Sequence, residues 1–212
     1  MTSELGDLGL YLKPTFVIDS DSKVVREKAA FFTERCTSQK EKAKMLFYFV
    51  RDGIKYNPYL ALCSFEDYRA SRTLLRGEGF CIQKAVVLAA VARAVGIPAR
   101  LGFADIRNHL APRELVELMG TNVFFYHGYC ELWLDNRWVK ATPAFNIEMC
   151  NKFSTKPVEF DGSGDAVFHE RNRKGELHIE YLKYHGTSAD LPFEEIMRVF
   201  TDMYPFACKE VK

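Results

Sequence analysis

The residue with the clearest chemical potential is Cys81, which stands between a glycine-bearing turn and an apolar segment. Residues 77–85 read Gly-Glu-Gly-Phe-Cys-Ile-Gln-Lys-Ala, and the apolar segment ends at Gly96-Ile97-Pro98. A thiol at a helix N-terminus feels the positive end of the helix dipole and unpaired backbone N–H groups, and both favour the thiolate. The same N–H groups can stabilise an oxyanion when the sulfur attacks a carbonyl. Cys81 is therefore a candidate nucleophile, and the alternative is a buried thiol that only packs.

A thiol nucleophile needs a base, and histidine suits that role because its ordinary pKa lies near neutrality. Of the five histidines, His127 is the best placed, because it lies early in an alternating run of bulky residues that predicts a strand. Gly128 beside it would let backbone or substrate approach closely. The alternative is a half-buried strand histidine bonded to backbone.

The surrounding pattern predicts an α+β domain, with helices first, a central apolar helix and then antiparallel strands. Periodicity and turn signals predict helices over residues 22–35, 39–52, 81–95, 113–119 and 193–204. Alternation predicts strands over residues 98–104, 123–134, 137–141 and 177–184, with a hairpin turn at Asp135-Asn136. Residues 105–121 read as a polar connection that could form the rim of a cleft, and the chain beyond Asn146 reads as polar loop.

Composition excludes several classes of partner. The chain has 212 residues and a formal net charge of +1, so no broad field points to nucleic acid or a membrane surface. Its apolar runs are too short to span a bilayer, and the N-terminus lacks the pattern of a signal peptide. We therefore expect a cytoplasmic protein with reduced thiols. The six cysteines form no Cys-x-x-Cys pair and the histidine spacings match no ligand motif, so we expect no metal and no cofactor.

Four segments in register resemble the transglutaminase-like superfamily, as in a small stand-alone bacterial-type member. Residues 74–100 contain Gly-x-Gly-x-Cys followed by Gly-Ile-Pro-Ala-Arg, and residues 50–56 are similar to the family's lead-in helix and tyrosine. In that family a strand reads His-x-x-x-Glu, then a turn, then Arg-Trp-Val. Residues 127–139 hold the same order. The resemblance covers about half of the chain, residues 41–146.

The resemblance implies a papain-like core, in which the cysteine on a central helix packs against an antiparallel sheet. It implies acyl transfer through a thioester, with Cys81 as nucleophile, His127 as base and the Cys81 backbone N–H as one oxyanion donor. We expect a single domain over residues 1–212. Within it, residues 41–146 form the core, 1–40 a helical lead-in and 147–212 a C-terminal elaboration.

The chain departs from the family at the residue that orients the histidine. Relatives end their second strand with Trp-Val-x-x-Asp-Pro, whereas residues 138–143 here read Trp-Val-Lys-Ala-Thr-Pro. Thr142 thus stands at the aspartate position and could accept a hydrogen bond from the imidazole. Asn146 could serve as an asparagine partner instead. Glu131 is discounted because residues i and i+4 on a strand lie roughly 13 Å apart.

We expect a cysteine enzyme that hydrolyses an amide or peptide bond in a peptide, protein or small amide substrate. Amine transfer is the less favoured alternative, because the chain shows no calcium-loop pattern of the kind found in animal crosslinking enzymes. A competing interpretation is a peptide-binding or scaffold module that has lost its orienting carboxylate. A third is an arylamine N-acetyltransferase, for which no acyl-CoA site is evident. The sequence leaves the substrate and the oligomeric state open.

Overall fold

The computed structural model describes residues 8–60 and 64–205. Its helices are α1 (Lys23–Thr33), α2 (Gln39–Gly53), α3 (Ala70–Arg76), α4 (Cys81–Ala94), α5 (Arg113–Met119), α6 (Ile147–Lys152) and α7 (Phe193–Met203). Its strands are β1 (Lys55–Tyr56), β2 (Glu78–Gly79), β3 (Ala99–Asn108), β4 (Val123–Leu134), β5 (Arg137–Ala141) and β6 (Ile179–Ser188). Short 3-10 helices cover Leu8–Leu12 and Phe65–Tyr68. The predicted α+β class is confirmed.

The main sheet is antiparallel and has the strand order β5-β4-β3-β6. Helix α4 packs against β4 and β3, and every residue from Cys81 through Arg93 is buried. This agrees with a sequence that is apolar on nearly all helical faces, since such a helix belongs inside a domain. Strands β1 and β2 form a separate parallel pair just before α4.

Local signals explain several element boundaries. Helix α2 begins at a capping box, in which Glu41 N donates to Ser38 Oγ at 3.2 Å and Ser38 N to Glu41 Oε2 at 3.3 Å. The hairpin between β4 and β5 turns at Asp135 and Asn136, whose φ angles are 47° and 61°. Asp and Asn tolerate this left-handed conformation, which a two-residue type I′ turn requires at both positions.

The sequence prediction is wrong where distant contacts decide the structure. Residues 105–108 continue β3 instead of beginning a connection, because β6 pairs with them in the register Asp105↔Lys183. Helix α6 lies where loop was expected, and its first N–H, that of Ile147, donates to Asp52 Oδ1 at 2.9 Å. So short a helix has little intrinsic stability. Its formation depends on that tertiary contact.

A buried lysine joins α4 to the end of α2. Lys84 is 0% exposed, and its Nζ donates to the carbonyl oxygens of Arg51 at 2.8 Å and Ile54 at 2.6 Å. A cationic donor at a helix C-terminus satisfies unpaired carbonyls and complements the helix dipole. Burial lowers the pKa of Lys84 to about 7. The Lys84 ammonium therefore links α4 to the end of α2, but it loses its hydration when it is buried there.

We predict that Lys84 makes stability depend on pH. The unfolded chain binds this proton up to a pKa of about 10.4, whereas the folded protein loses it near pH 7. The free energy of unfolding should therefore rise with pH between these values, by at most about 1.4 kcal/mol per pH unit from this group. Urea unfolding from pH 6.5 to 9.5 should show a shallower rise in Lys84→Met. The exposed-site control Lys44→Met should keep the wild-type slope, and an unchanged slope in Lys84→Met would contradict the assignment.

Candidate active site

The turn before α4 places Cys81 at the first position of that helix. Gly77 ends α3 in the left-handed conformation with φ of 75°, which a glycine adopts without strain. Strand β2 then pairs with β1, and Asn57 N donates to Gly79 O at 3.1 Å. Phe80 N donates to Gln83 Oε1 at 3.1 Å, which closes the helix start. The position of Cys81 is thus held from both sides. The Gln83 side chain thus caps the helix through Oε1, whereas its buried Nε2 has no hydrogen-bond partner among residues 8–60 and 64–205.

Gly128 is the point at which β4 meets the first turn of α4. A Cβ built on Gly128 would lie 2.9 Å from Ile82 Cα and 3.2 Å from Ile82 Cγ1. Real Cβ atoms do not approach backbone so closely, so only glycine allows this separation. The Gly128 N–H consequently reaches the sulfur of Cys81 as a hydrogen-bond donor. Since His127 precedes Gly128, this contact brings the histidine strand to the candidate nucleophile.

Burial dominates the electrostatics of the site. It raises the pKa of the Cys81 thiol to about 11, although the backbone N–H groups of Gly128, Ile82 and Cys81 itself oppose the shift. Burial also lowers the pKa of His127 to about 3. Burial therefore opposes the thiolate more strongly than the helix dipole and the backbone N–H groups favour it. Desolvation outweighs the helix dipole because Cys81 is 7% exposed and His127 only 2%.

Aromatic rings surround the imidazole of His127. Its centroid lies 4.9 Å from that of Phe168 and 6.5 Å from that of Tyr181. Its Nε2 atom is buried and has no hydrogen-bond partner among residues 8–60 and 64–205. A buried ring nitrogen without a partner is costly in a purely structural residue. This geometry fits a histidine that exchanges a proton during a reaction.

The residue before the histidine is held in an unusual backbone conformation. Tyr126 has a φ of 52°, a left-handed value that bulky residues seldom adopt. Its N–H donates to Asp105 Oδ1 at 3.0 Å, and its ring stacks on His185 at 4.2 Å between centroids. Asp105 Oδ1 also lies 2.8 Å from His185 Nε2. These contacts fix the backbone from which His127 projects.

Thr142 lies just beyond β5, in a position that the β4–β5 register places on the His127 face of the sheet. It is fully buried, and its N–H donates to Ala166 O at 2.9 Å. Its Oγ1 has no hydrogen bond of normal geometry within the described part of the chain. Burial raises the pKa of Tyr181, while the Phe168 N–H and the Thr142 hydroxyl oppose that rise. Thr142 and His127 are therefore both neighbours of Tyr181, and each carries an unpaired polar atom.

Asn146 and Glu131 are engaged elsewhere. Asn146 Oδ1 accepts from Tyr56 N at 3.2 Å, and its Nδ2 donates to Glu148 Oε2 at 2.5 Å. Glu131 Oε2 accepts from Arg100 Nε at 2.8 Å. Neither side chain hydrogen-bonds to His127 within the described ranges. The structure brings Cys81, His127 and Thr142 to one region and assigns Asn146 to the junction of β1 and α6.

A cleft of about 640 Å³ opens beside this region. It is bounded by β1 and the residues after it, by the end of β3 and the start of α5, by the start of β4 and by α6. The lining residues are Lys55, Tyr56, Asn57, Pro58, Tyr59, Asn108, Pro112, Glu114, Leu115, Phe124, Phe145, Asn146, Glu148, Met149, Lys152 and Phe153. Among the described residues, no group of three or more His, Cys, Asp or Glu side chains is arranged to hold a metal ion.

Sequence reasoning missed the aromatic side chains that surround the site. Three aromatic residues lie outside the motifs around Cys81 and His127 in sequence. Two of them, Phe145 and Phe168, come from loops, and Tyr181 comes from β6. Their local sequence signals only that they are apolar or amphipathic. The fold alone gathers them around the imidazole.

The buried helix that begins at Cys81, packed on the antiparallel sheet that carries His127, defines a papain-like fold. The chain belongs to the transglutaminase-like superfamily, whose family model matches residues 26–143. The match begins within α1 and includes Cys81, His127 and Thr142. A search of curated proteins finds no significant match.

Solved structures share the fold at low sequence identity. A protein proposed to be a cysteine protease from Cytophaga hutchinsonii has 15% identity and a TM-score of 0.53, with 86% of this chain and 54% of that chain covered. The chain thus spans about half the length of that neighbour. The periplasmic domain of TgpA from Pseudomonas aeruginosa has 21% identity and a TM-score of 0.43, with 57% of this chain and 42% of that chain covered. No helix in residues 8–60 or 64–205 is both long and apolar enough to cross a membrane.

We predict that Gly128→Ala separates β4 from the start of α4. The added Cβ would meet the Ile82 backbone at 2.9 Å, and overpacking of this kind costs about 1–3 kcal/mol. Thermal unfolding should show the loss of stability, and alkylation of Cys81 by iodoacetamide should change in rate. Gly164→Ala is the matched control, because a Cβ there meets nothing within 4 Å. Equal behaviour of the two variants would show that the close approach does not matter.

Proposed function

We propose that this protein is a cysteine-dependent hydrolase of amide or peptide bonds that works through a thioester. Cys81 is the nucleophile and His127 is the base. The observation that carries the proposal is the contact of Gly128 with Ile82, which brings the strand bearing His127 to the sulfur of Cys81. Family membership and a cysteine protease-like neighbour in fold support the same chemistry.

The resting pair is neutral, so proton transfer accompanies attack. His127 accepts the Cys81 proton as the sulfur bonds to the substrate carbonyl carbon, and backbone N–H groups near the sulfur receive the developing oxyanion. The imidazolium then protonates the leaving amine as the C–N bond breaks, which leaves a thioester on Cys81. Water attacks the thioester while His127 takes its proton. Return of that proton to sulfur releases the acid.

Burial gives this cycle a specific pH signature in alkylation. At pH 7 the Cys81 thiol, with a pKa of about 11, is protonated and depends on His127 to lose its proton. We predict that His127→Ala slows alkylation of Cys81 by iodoacetamide at pH 7 by at least about tenfold. This lower limit is smaller than the usual contribution of a general base. The difference should shrink as pH approaches 10, since hydroxide then forms the thiolate without a base. Peptide mapping by mass spectrometry gives the rate at each pH.

The half-buried Cys36 provides an internal control in the same reaction, and His109→Ala serves as a second-histidine control. Neither the Cys36 rate nor the His109→Ala profile should change. If wild type and His127→Ala react equally at every pH, the enzyme proposal fails. A peptide-binding module with a papain-like fold would then be the better description, and the absence of a carboxylate at Thr142 favours that second candidate.

We propose Thr142 as the residue that orients His127, because the buried Thr142 hydroxyl and the unpaired His127 Nε2 both lie on residues beside Tyr181. Asn146 remains the other candidate, although its amide is bonded to Tyr56 and Glu148. We predict that Thr142→Val lowers the His127-dependent alkylation rate at pH 7 about three- to tenfold, with recovery in Thr142→Ser. An orienting hydrogen bond of about 1 kcal/mol gives a change of this size.

Asn146→Ala tests the alternative. It should lower the melting temperature by removing the hydrogen bonds to the Tyr56 N–H and to Glu148, with little effect on alkylation of Cys81. A larger loss of reactivity in Asn146→Ala than in Thr142→Val would assign the orienting role to Asn146. Restored reactivity in Thr142→Ser would show that the hydroxyl orients His127, because serine keeps the hydroxyl and lacks the methyl group.

The reaction class, the substrates and the location are further parts of the proposal. Hydrolysis is favoured over amine transfer, with peptides, proteins or small amides as substrates and no cofactor in the cycle. A cytoplasmic location is supported by the unpaired Cys36, Cys81, Cys130 and Cys150. A periplasmic domain among the structural neighbours is the observation on the other side.

A further inference from the structure

The cleft beside the candidate pair has an apolar interior. Its inward surfaces come from Phe124, Phe145, Leu115 and Met149, with the Tyr56 ring at its inner end. Leu115 and Phe145 are buried, whereas Met149 is partly exposed to the cleft. An apolar concavity of about 640 Å³ has the size of a ligand pocket, which commonly falls between about 300 and 1,000 Å³.

The cleft is linked to Cys81 and His127 through two of its lining residues, Tyr56 and Phe145, although neither Cys81 nor His127 lines it. Tyr56 pairs with Gly79, two residues before Cys81, and after burial the charge of a Cys81 thiolate is the next cause that raises the pKa of Tyr56. Phe145 contacts Tyr56 edge-on at 4.9 Å and stacks on Phe168 at 4.4 Å. Phe168 in turn contacts His127 at 4.9 Å. Tyr56 and Phe145 therefore connect the cleft to the surroundings of both Cys81 and His127.

The charges around the cleft balance and lie at its rim. The lining includes two lysines and two glutamates, all of them exposed: Lys55, Lys152, Glu114 and Glu148. Glu148 already accepts a hydrogen bond from Asn146. A charged substrate group would find no buried partner of opposite sign in the interior. The interior therefore favours an apolar substrate group. The polar backbone of the substrate can stay in water at the charged rim.

We propose that this cleft binds a bulky apolar side chain of the substrate, aromatic or long aliphatic, next to the carbonyl that Cys81 attacks. The proposal deepens the proposed function and rests on it for the identity of the nucleophile. The occupant is a substrate side chain, because two lining residues, Tyr56 and Phe145, link the cleft to the surroundings of Cys81 and His127. Burial of such a side chain contributes about 1.5–3 kcal/mol, equivalent to at least about tenfold in affinity.

Protection of Cys81 from iodoacetamide measures occupancy of the cleft. The probes are the N-acetyl N-methylamides of phenylalanine, leucine, glycine, aspartate and lysine, each with an amide on both sides of the side chain. We predict that the phenylalanine and leucine compounds protect Cys81 at concentrations at least about tenfold below the other three. Equal protection by the aspartate or lysine compound would overturn the proposal. So would an alkylation rate that depends on protein concentration and on no compound, since a second copy of the chain would then cover the cleft.

Two methionine variants localise the effect. Met149→Lys places a charge in the cleft and should weaken protection by the phenylalanine compound about tenfold. Met45→Lys is the matched control, because Met45 is 44% exposed on α2 and lies outside the lining. It should leave protection unchanged. Equal protection in both variants, with melting temperatures near that of wild type, would overturn the placement of the subsite.

A milder pair keeps the test decisive if Met149→Lys fails to fold. Phe153→Ala removes an apolar ring from the cleft lining, and this residue is already 39% exposed. The control Phe31→Ala removes a ring from α1, at a residue that is 71% exposed. Only Phe153→Ala should weaken protection by the phenylalanine compound, and equal effects would overturn the proposal. Protection that persists in His127→Ala, with no His127-dependent alkylation in wild type, would overturn the proposed function and leave an apolar binding site. His127-dependent alkylation without selective protection would overturn the apolar subsite and leave the proposed function standing.

Discussion

The structure of the site depends on one close approach, that of the Gly128 backbone to Ile82 in the first turn of α4. A side chain at Gly128 would collide with the Ile82 Cα at 2.9 Å. The missing side chain lets the β4 backbone donate toward the Cys81 sulfur and sets how near His127 can come. The buried α4, the sheet register and the capped helix start all hold these two backbone segments at that distance.

The same packing that positions the pair also withdraws it from water. Burial keeps Cys81 as a thiol and His127 as a neutral imidazole, so the two groups rest uncharged instead of forming an ion pair. A neutral pair suits attack on an apolar substrate segment that displaces the remaining water, because desolvation then costs little more. The apolar cleft extends this low-dielectric environment. It is lined by Tyr56 and Phe145, and Phe145 contacts His127 through Phe168.

Much of the fold and half of the site follow from local sequence. The helix bounds at Arg113–Met119 and the hairpin of β4 and β5 match the predicted ranges, because periodicity and turn residues are short-range signals. The extension of β3 to Asn108 and the formation of α6 do not follow, since β6 and Asp52 supply the decisive contacts from distant parts of the chain. The same limit applies to Tyr181, which only the sheet order brings beside His127.

The sequence by itself determined the candidate nucleophile and base, because a glycine-flanked cysteine at a helix start and a histidine before glycine on a strand are local patterns. It also determined that threonine replaces the orienting carboxylate. Only the tertiary structure decided their protonation, which depends on how completely distant elements exclude water. It also decided that the Asn146 amide bonds to the Tyr56 backbone and Glu148, whereas Thr142 shares a neighbour with His127. These outcomes depend on side chains far apart in sequence, and no local pattern encodes their meeting.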